Sequence, residues 1–78
     1  MNNKAKYDEA FIEIFEIEQA DLNEKLEYQS IVTWDSVGHM ALIAELEDSF
    51  EISMEMDDII DFSSYVKGIE ILKKYDIE

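Results

Sequence analysis

Ser36 stands in the run Trp34-Asp35-Ser36-Val37-Gly38-His39, where an irregular stretch of chain gives way to a periodic apolar one. That is the start of a helix, where unpaired backbone N–H groups and a partial positive charge can hold a phosphate ester attached to a hydroxyl. The ordinary role of a serine there is to cap the first turn, and Asp35 is as well placed to do so. A catalytic triad of Asp35, Ser36 and His39 fails on geometry: the acid must orient the base and the base must reach the serine, which residues on one helical turn do not allow. His39 shares a wheel side with Leu42, Ile43 and Leu46, so it is expected to pack at the end of the core and hydrogen-bond a loop carbonyl. Asp57, Asp58 and Asp61 lack the spacing of a calcium loop and have no cysteine or second histidine nearby, so at most a weak surface Mg²⁺ or Ca²⁺ site is expected, with no metal centre.

The chain that carries these residues has 78 residues, six lysines, no arginine, 20 acidic side chains and one histidine, for a formal net charge of −14. Apolar residues make up 47% of it, enough to build a core, and they are spread along the whole length, so one domain over residues 1–78 is expected. A domain this small buries only about 60% of the surface its unfolded chain exposes. A deep, water-free pocket is therefore not expected, and an autonomous enzyme is disfavoured. Without cysteine there is no disulfide framework, thiolate metal site or cysteine nucleophile, which points to a cytoplasmic setting. The first residues lack the apolar run of a signal peptide, and no stretch approaches the ~20 apolar residues that span a bilayer. A uniformly acidic chain is repelled by phosphates, so nucleic acid is excluded as a natural partner and basic protein patches are favoured.

Three helical periods position the candidate residues. From Lys4 to about Ile17, Tyr7, Ala10, Phe11, Ile14 and Phe15 form an apolar stripe, with Asp8, Glu9, Glu13 and Glu16 on other faces. Glu18 to Trp34 has no sustained period and is expected to be a long loop pinned by Leu22, Leu26, Tyr28, Ile31 and Val32. A second helix runs from about Ser36 to Phe50. Glu55 to Asp61 fits a short helical turn, and Ser63 can cap a last helix through about Tyr75 with Tyr65, Val66, Ile69 and Leu72 facing inward. Gly68 inside that helix costs ~1 kcal/mol relative to alanine and marks a close approach of another segment. Residues 76–78 are expected to fray. The expected fold is all-α, a small bundle of three main helices and one short one, and the isolated domain is expected to be monomeric.

The second helix has two distinct sides. Leu42, Ile43, Leu46 and Phe50 form its core stripe, while Val37, Met40, Ala41 and Ala44 project roughly opposite, interleaved with Glu47, Asp48 and Glu51. A mixed apolar and acidic surface of this kind suits a protein partner. A stray apolar residue on a helix back, with alanine present simply as a good helix former, accounts for part of the same pattern.

The run from Asp35 to Ile52, with its Asp-Ser opening, acidic end and closing Phe50, resembles the Asp-Ser-Leu helix of acyl carrier proteins. The length, the acidity, the long preceding loop and the Phe62-Ser63-Ser64 entry to the last helix extend that resemblance over the whole chain. It implies a phosphopantetheinyl transferase that moves 4'-phosphopantetheine from coenzyme A onto Ser36, with Asp35 assisting the modification. The terminal thiol of the arm then carries acyl groups as thioesters between biosynthetic enzymes that load and transfer them. The resemblance also makes the second helix the recognition helix, with Val37, Met40, Ala44, Glu47 and Asp48 at partner-facing positions.

Val37 in place of the usual leucine, and Gly38-His39 after it, depart from the bulk fatty-acid carriers. The Trp-Asp-Ser-x-Gly-His form is similar to carriers that serve dedicated bacterial pathways. Aminoacyl or peptidyl carriage stays open, although the Gly-Gly-x-Ser approach usual in those relatives is absent. From a different class, a noncovalent acidic adaptor would use the same carboxylates and keep Ser36 only as a cap.

Overall fold

The computed structural model describes residues 3–77. Its elements are α1 (Asn3–Phe15), a single 3-10 turn (Gln19–Asp21), α2 (Ser36–Phe50), α3 (Met56–Asp61) and α4 (Tyr65–Lys73). Among the described residues there is no strand, only one isolated bridge between Glu27 and Ser64. This is the expected small all-α bundle, and no helix of it is long and apolar enough to cross a membrane.

Aromatic side chains dominate the core. Phe11 on α1 meets Phe15, Trp34 and Tyr65 edge-on at centroid distances of 5.7, 5.5 and 5.4 Å, and Phe15 stacks on Trp34 at 5.1 Å. Rings in these geometries contribute about 0.5–1.5 kcal/mol per pair beyond the area they bury. Leu42, Ile43 and Leu46 close the core from α2 as their spacing predicts, and Phe50 is half-buried at the helix end. The loop is anchored differently from expectation. Trp34 is fully buried and Leu26 nearly so, whereas Val32 is 93% exposed and Tyr28 sits at the surface. Thr33 lies between Val32 and Trp34 and donates through Oγ1 to the Phe15 carbonyl at 3.0 Å, so the loop is tied to the last turn of α1.

Asp8 corrects the expected polar face of α1, because it is buried. Its carboxylate accepts from the Tyr65 hydroxyl, from Lys4 Nζ at 2.9 Å and from Gln19 Nε2 at 3.2 Å, while the Tyr7 hydroxyl donates to the Tyr65 carbonyl at 2.6 Å. Burial pulls Asp8 upward, but hydrogen bonds from Tyr65, Lys4 and Gln19 outweigh it and hold the carboxyl below its ordinary range. This network joins α1, the 3-10 turn and α4, leaving no buried polar side-chain atom unsatisfied among the described residues.

The last helix is capped by Ser64 instead of Ser63: Ser64 Oγ accepts from Lys67 N at 3.0 Å, while the Ser63 carbonyl accepts from Tyr28 N. Tyr65, Gly68, Ile71 and Leu72 of this helix face inward, with Ile69 half-buried, while Val66, expected inward, is exposed. Gly68 is indeed a close approach, since a Cβ there would lie 2.3 Å from both the Phe62 ring and the Tyr7 hydroxyl.

Three helices end in the same way. Glu16, Glu51 and Asp76 take left-handed backbone angles (φ 57°, 55° and 63°), and the next residue, an isoleucine each time, returns its N–H to a carbonyl five residues back. Those bonds run from Ile17 to Ile12, from Ile52 to Glu47 and from Ile77 to Leu72, with each isoleucine packed against the core. This is a Schellman closure, usually made with glycine. It stops α1 two residues before the expected end, and it ties down Asp76 and Ile77, which were expected to fray; Glu78 lies outside the described residues.

Candidate functional site

The start of α2 is built by Asp35. Its backbone is extended, its Oδ1 accepts from Gly38 N at 2.8 Å and its carbonyl accepts from His39 N at 2.7 Å. Of the two candidate caps, Asp35 therefore does the capping. Ser36 becomes the first helical residue, with its side chain exposed and outside the capping bond. Gly38 lets the loop pass directly against this turn: a Cβ there would lie 2.0 Å from the Thr33 carbonyl oxygen.

His39 links three segments. Its Nδ1 accepts from Trp34 Nε1 at 3.0 Å, which leaves Nε2 to donate to the Ile59 carbonyl at 2.8 Å. The ring lies nearly parallel to Trp34 and meets Tyr28 and Phe62 edge-on. The bond expected to a loop carbonyl goes instead to a helix carbonyl, that of Ile59 in α3. Beside it lies a groove of about 200 Å³ lined by Tyr28, Ser36, His39, Ile59, Ile60, Phe62 and Ser63, mostly apolar and open to solvent. Ser36 stands at its mouth.

Around the serine, Val37 is 77% exposed and Met40 52%, and Ala44 and Asp48 are exposed as well. Glu47 is half-buried, because its Oε2 accepts from Met54 N at 2.8 Å and so fastens the chain that follows α2. This engagement draws Glu47 away from a purely partner-facing role. The sequence reading missed Met56 and Ile60, exposed at 68% and 69%. Their i, i+4 spacing puts both on one outer face of α3, a signal available in the sequence.

Asp57, Asp58 and Asp61 do not gather into a cation site. Asp58 turns inward to Lys74 and Tyr75, and the described residues contain no cluster of three histidine, cysteine, aspartate or glutamate side chains arranged to hold a metal. No protein-family model, curated protein or solved structure matches this chain.

Proposed function

We propose that this protein is an acyl carrier protein, with Ser36 as the attachment point of a 4'-phosphopantetheine arm. The observation that supports it best is the exposed Ser36 hydroxyl at the first turn of α2, relieved of capping by Asp35 and set at the mouth of an apolar groove. A phosphodiester on Ser36 Oγ would sit beside free N–H groups of the first helical turn, where a phosphate is favoured. The arm, once attached, supplies a thiol that holds an acyl group as a thioester. The chain's own residues supply the address: Val37, Met40 and Ala44 offer apolar contact, Asp48 charge, and the net charge of −14 draws basic surfaces toward them.

The partners on this reading are a phosphopantetheinyl transferase, which Asp35 assists, and enzymes with basic patches that load and unload the arm. The protein itself catalyses nothing. The Trp-Asp-Ser-x-Gly-His sequence supports service in a dedicated pathway over bulk fatty-acid synthesis, and acyl over aminoacyl cargo accords with the acidity.

The test is intact mass after incubation of the purified protein with coenzyme A, Mg²⁺ and a broad-specificity transferase, beside a Ser36→Ala control. One phosphopantetheine added to the wild type alone is the expected result. No addition, while a known carrier is modified in the same tube, would return Ser36 to a plain helix residue. The exposed Val37 and Met40, which owe nothing to Ser36, would then favour a noncovalent acidic adaptor.

A further inference from the structure

The chain just before Ser36 is two linked turns. Ser30 N donates to the Glu27 carbonyl at 2.9 Å and Trp34 N to the Ile31 carbonyl at 3.2 Å, so Tyr28 and Gln29 make the corner of the first turn and Val32 and Thr33 that of the second. Gln29 N donates to the Trp34 carbonyl at 2.9 Å and joins the two. The core grips the second turn on both sides of its apex: Ile31 packs against the core, Thr33 Oγ1 donates to the Phe15 carbonyl, and Trp34 is fully buried. Val32 is thus a knob on an anchored turn, not the tip of a slack loop.

Turn corners favour glycine, proline, asparagine, aspartate and serine, each for a backbone reason that valine does not share. At 93% exposure the Val32 side chain buries almost nothing, so the fold gains little from it. One exposed apolar residue needs no explanation. Here the pattern is collective: of the large apolar side chains exposed among the described residues, all but Val66 lie between residues 28 and 60. That stretch falls wholly within the lysine-free, acidic span between Lys25 and Lys67. Apolar contacts set among carboxylates match a partner with an apolar seat and a basic rim.

The turn abuts the first turn of α2, since the Thr33 carbonyl leaves no room for a Cβ at Gly38. Four residues of chain separate Val32 from Ser36, a contour of at most about 14 Å. A standard protein interface covers about 800 Å² per partner, a patch with a radius of about 16 Å. An enzyme centred on the Ser36 hydroxyl therefore has the span to take in Val32 together with Val37 and Met40. We infer that Val32 is a second, loop-borne anchor for the enzyme that modifies Ser36, and that it sets how tightly this enzyme binds and not how fast it reacts. That the enzyme is a phosphopantetheinyl transferase rests on the carrier reading.

The test measures kcat and KM of a broad-specificity transferase, with coenzyme A and Mg²⁺, for the wild type, Val32→Ser, Val32→Asp and Val66→Ser. Val32→Ser is expected to raise KM about fivefold with kcat changed less than about twofold. Val66→Ser, an exposed valine on α4, is expected to change neither by more than about twofold. Val32→Asp separates contact from steering: added negative charge alone would lower KM for a basic enzyme, whereas loss of an apolar seat raises it. Melts of the variants are expected within about 4 °C of the wild type. An unchanged KM in Val32→Ser, an equal rise in Val66→Ser, a lowered KM in Val32→Asp, or a Val32→Ser protein that melts far below the wild type overturns the proposal. A wild type left unmodified beside a known carrier overturns the carrier reading itself, and this anchor with it.

Discussion

Replacing Gly38 by alanine sets a local gain against a tertiary loss, and the structure decides which wins. Alanine at a helical position is worth up to ~1 kcal/mol over glycine. Against this, the added methyl would lie 2.0 Å from the Thr33 carbonyl oxygen and 3.3 Å from the Phe15 ring. The oxygen is backbone and cannot rotate aside, so the loop must retreat by more than ~1 Å to reach ordinary contact distance, and overpacking of this kind costs about 1–3 kcal/mol. The retreat also strains the Thr33–Phe15 hydrogen bond, for a further ~0.5–1.5 kcal/mol, and disturbs Trp34, the next residue. The net loss is about 1–3 kcal/mol, which for a domain of this size lowers Tm by roughly 5–20 °C. Thermal melts followed by circular dichroism measure it. Trp34 is the one tryptophan and is fully buried, so its emission in the folded state should also shift to the red as the loop lifts. A Gly38→Ala protein that melts at or above the wild-type temperature with unchanged emission would refute the reasoning.

Two more outcomes follow from the same contacts. Asp35→Ala removes the α2 cap and should cost about 1 kcal/mol in urea unfolding, with Asp35→Ser recovering most of it because serine also accepts from the helix N–H groups; equal losses for both would show that capping is not the contribution. Asp8 and Asp58 are both held below the unfolded carboxyl value of ~3.9, so the stability they contribute is complete above that pH and disappears as pH falls through their lower folded values. Melts between pH 6 and pH 2 should therefore show a steep acid loss that is shallower in Asp8→Asn, and parallel slopes for the two proteins would remove Asp8 from the account.

The features most legible in the sequence were those set by local repetition. Helix α2 begins and ends where its 3.6-residue period and cap residues place it, because Leu42, Ile43 and Leu46 leave only one way to face the core. Gly68 announced a close approach, since a glycine inside a helix costs stability without some spatial reason. His39 was expected to bond a loop carbonyl, but only the folded chain supplies Ile59, twenty residues away. The failures share a cause. Asp8 reads as a surface carboxylate until Tyr65 arrives from 57 residues along the chain, and Glu47 until it meets Met54 N. Ser63 and Ser64 are indistinguishable as caps by type, and Val66 reads as inward beside Tyr65 until the packing of Gly68 against Phe62 and Tyr7 fixes which side of the helix meets the core. In the loop, period-free sequence gave no means of telling that Trp34 turns in while Val32 turns out. The groove at Ser36 was invisible for the same reason, being made by residues from α2, α3 and two connections.

The three Schellman closures show what this chain gives up in order to stay acidic. A left-handed residue with a side chain is strained by roughly 1–2 kcal/mol relative to glycine, and a carboxylate near a helix C-terminus opposes the dipole there. Both local preferences favour glycine or asparagine at positions 16, 51 and 76, yet each holds Glu or Asp, and the buried isoleucine beside it keeps the turn closed. The two glycines stand instead at Gly38 and Gly68, where a neighbour needs the space. At these three positions a negative charge stands where local helix-end stability favours another residue. The ends at positions 16 and 76 are sites where an engineer could neutralise charge and raise durability together, leaving untouched the α2 face to which Glu51 belongs.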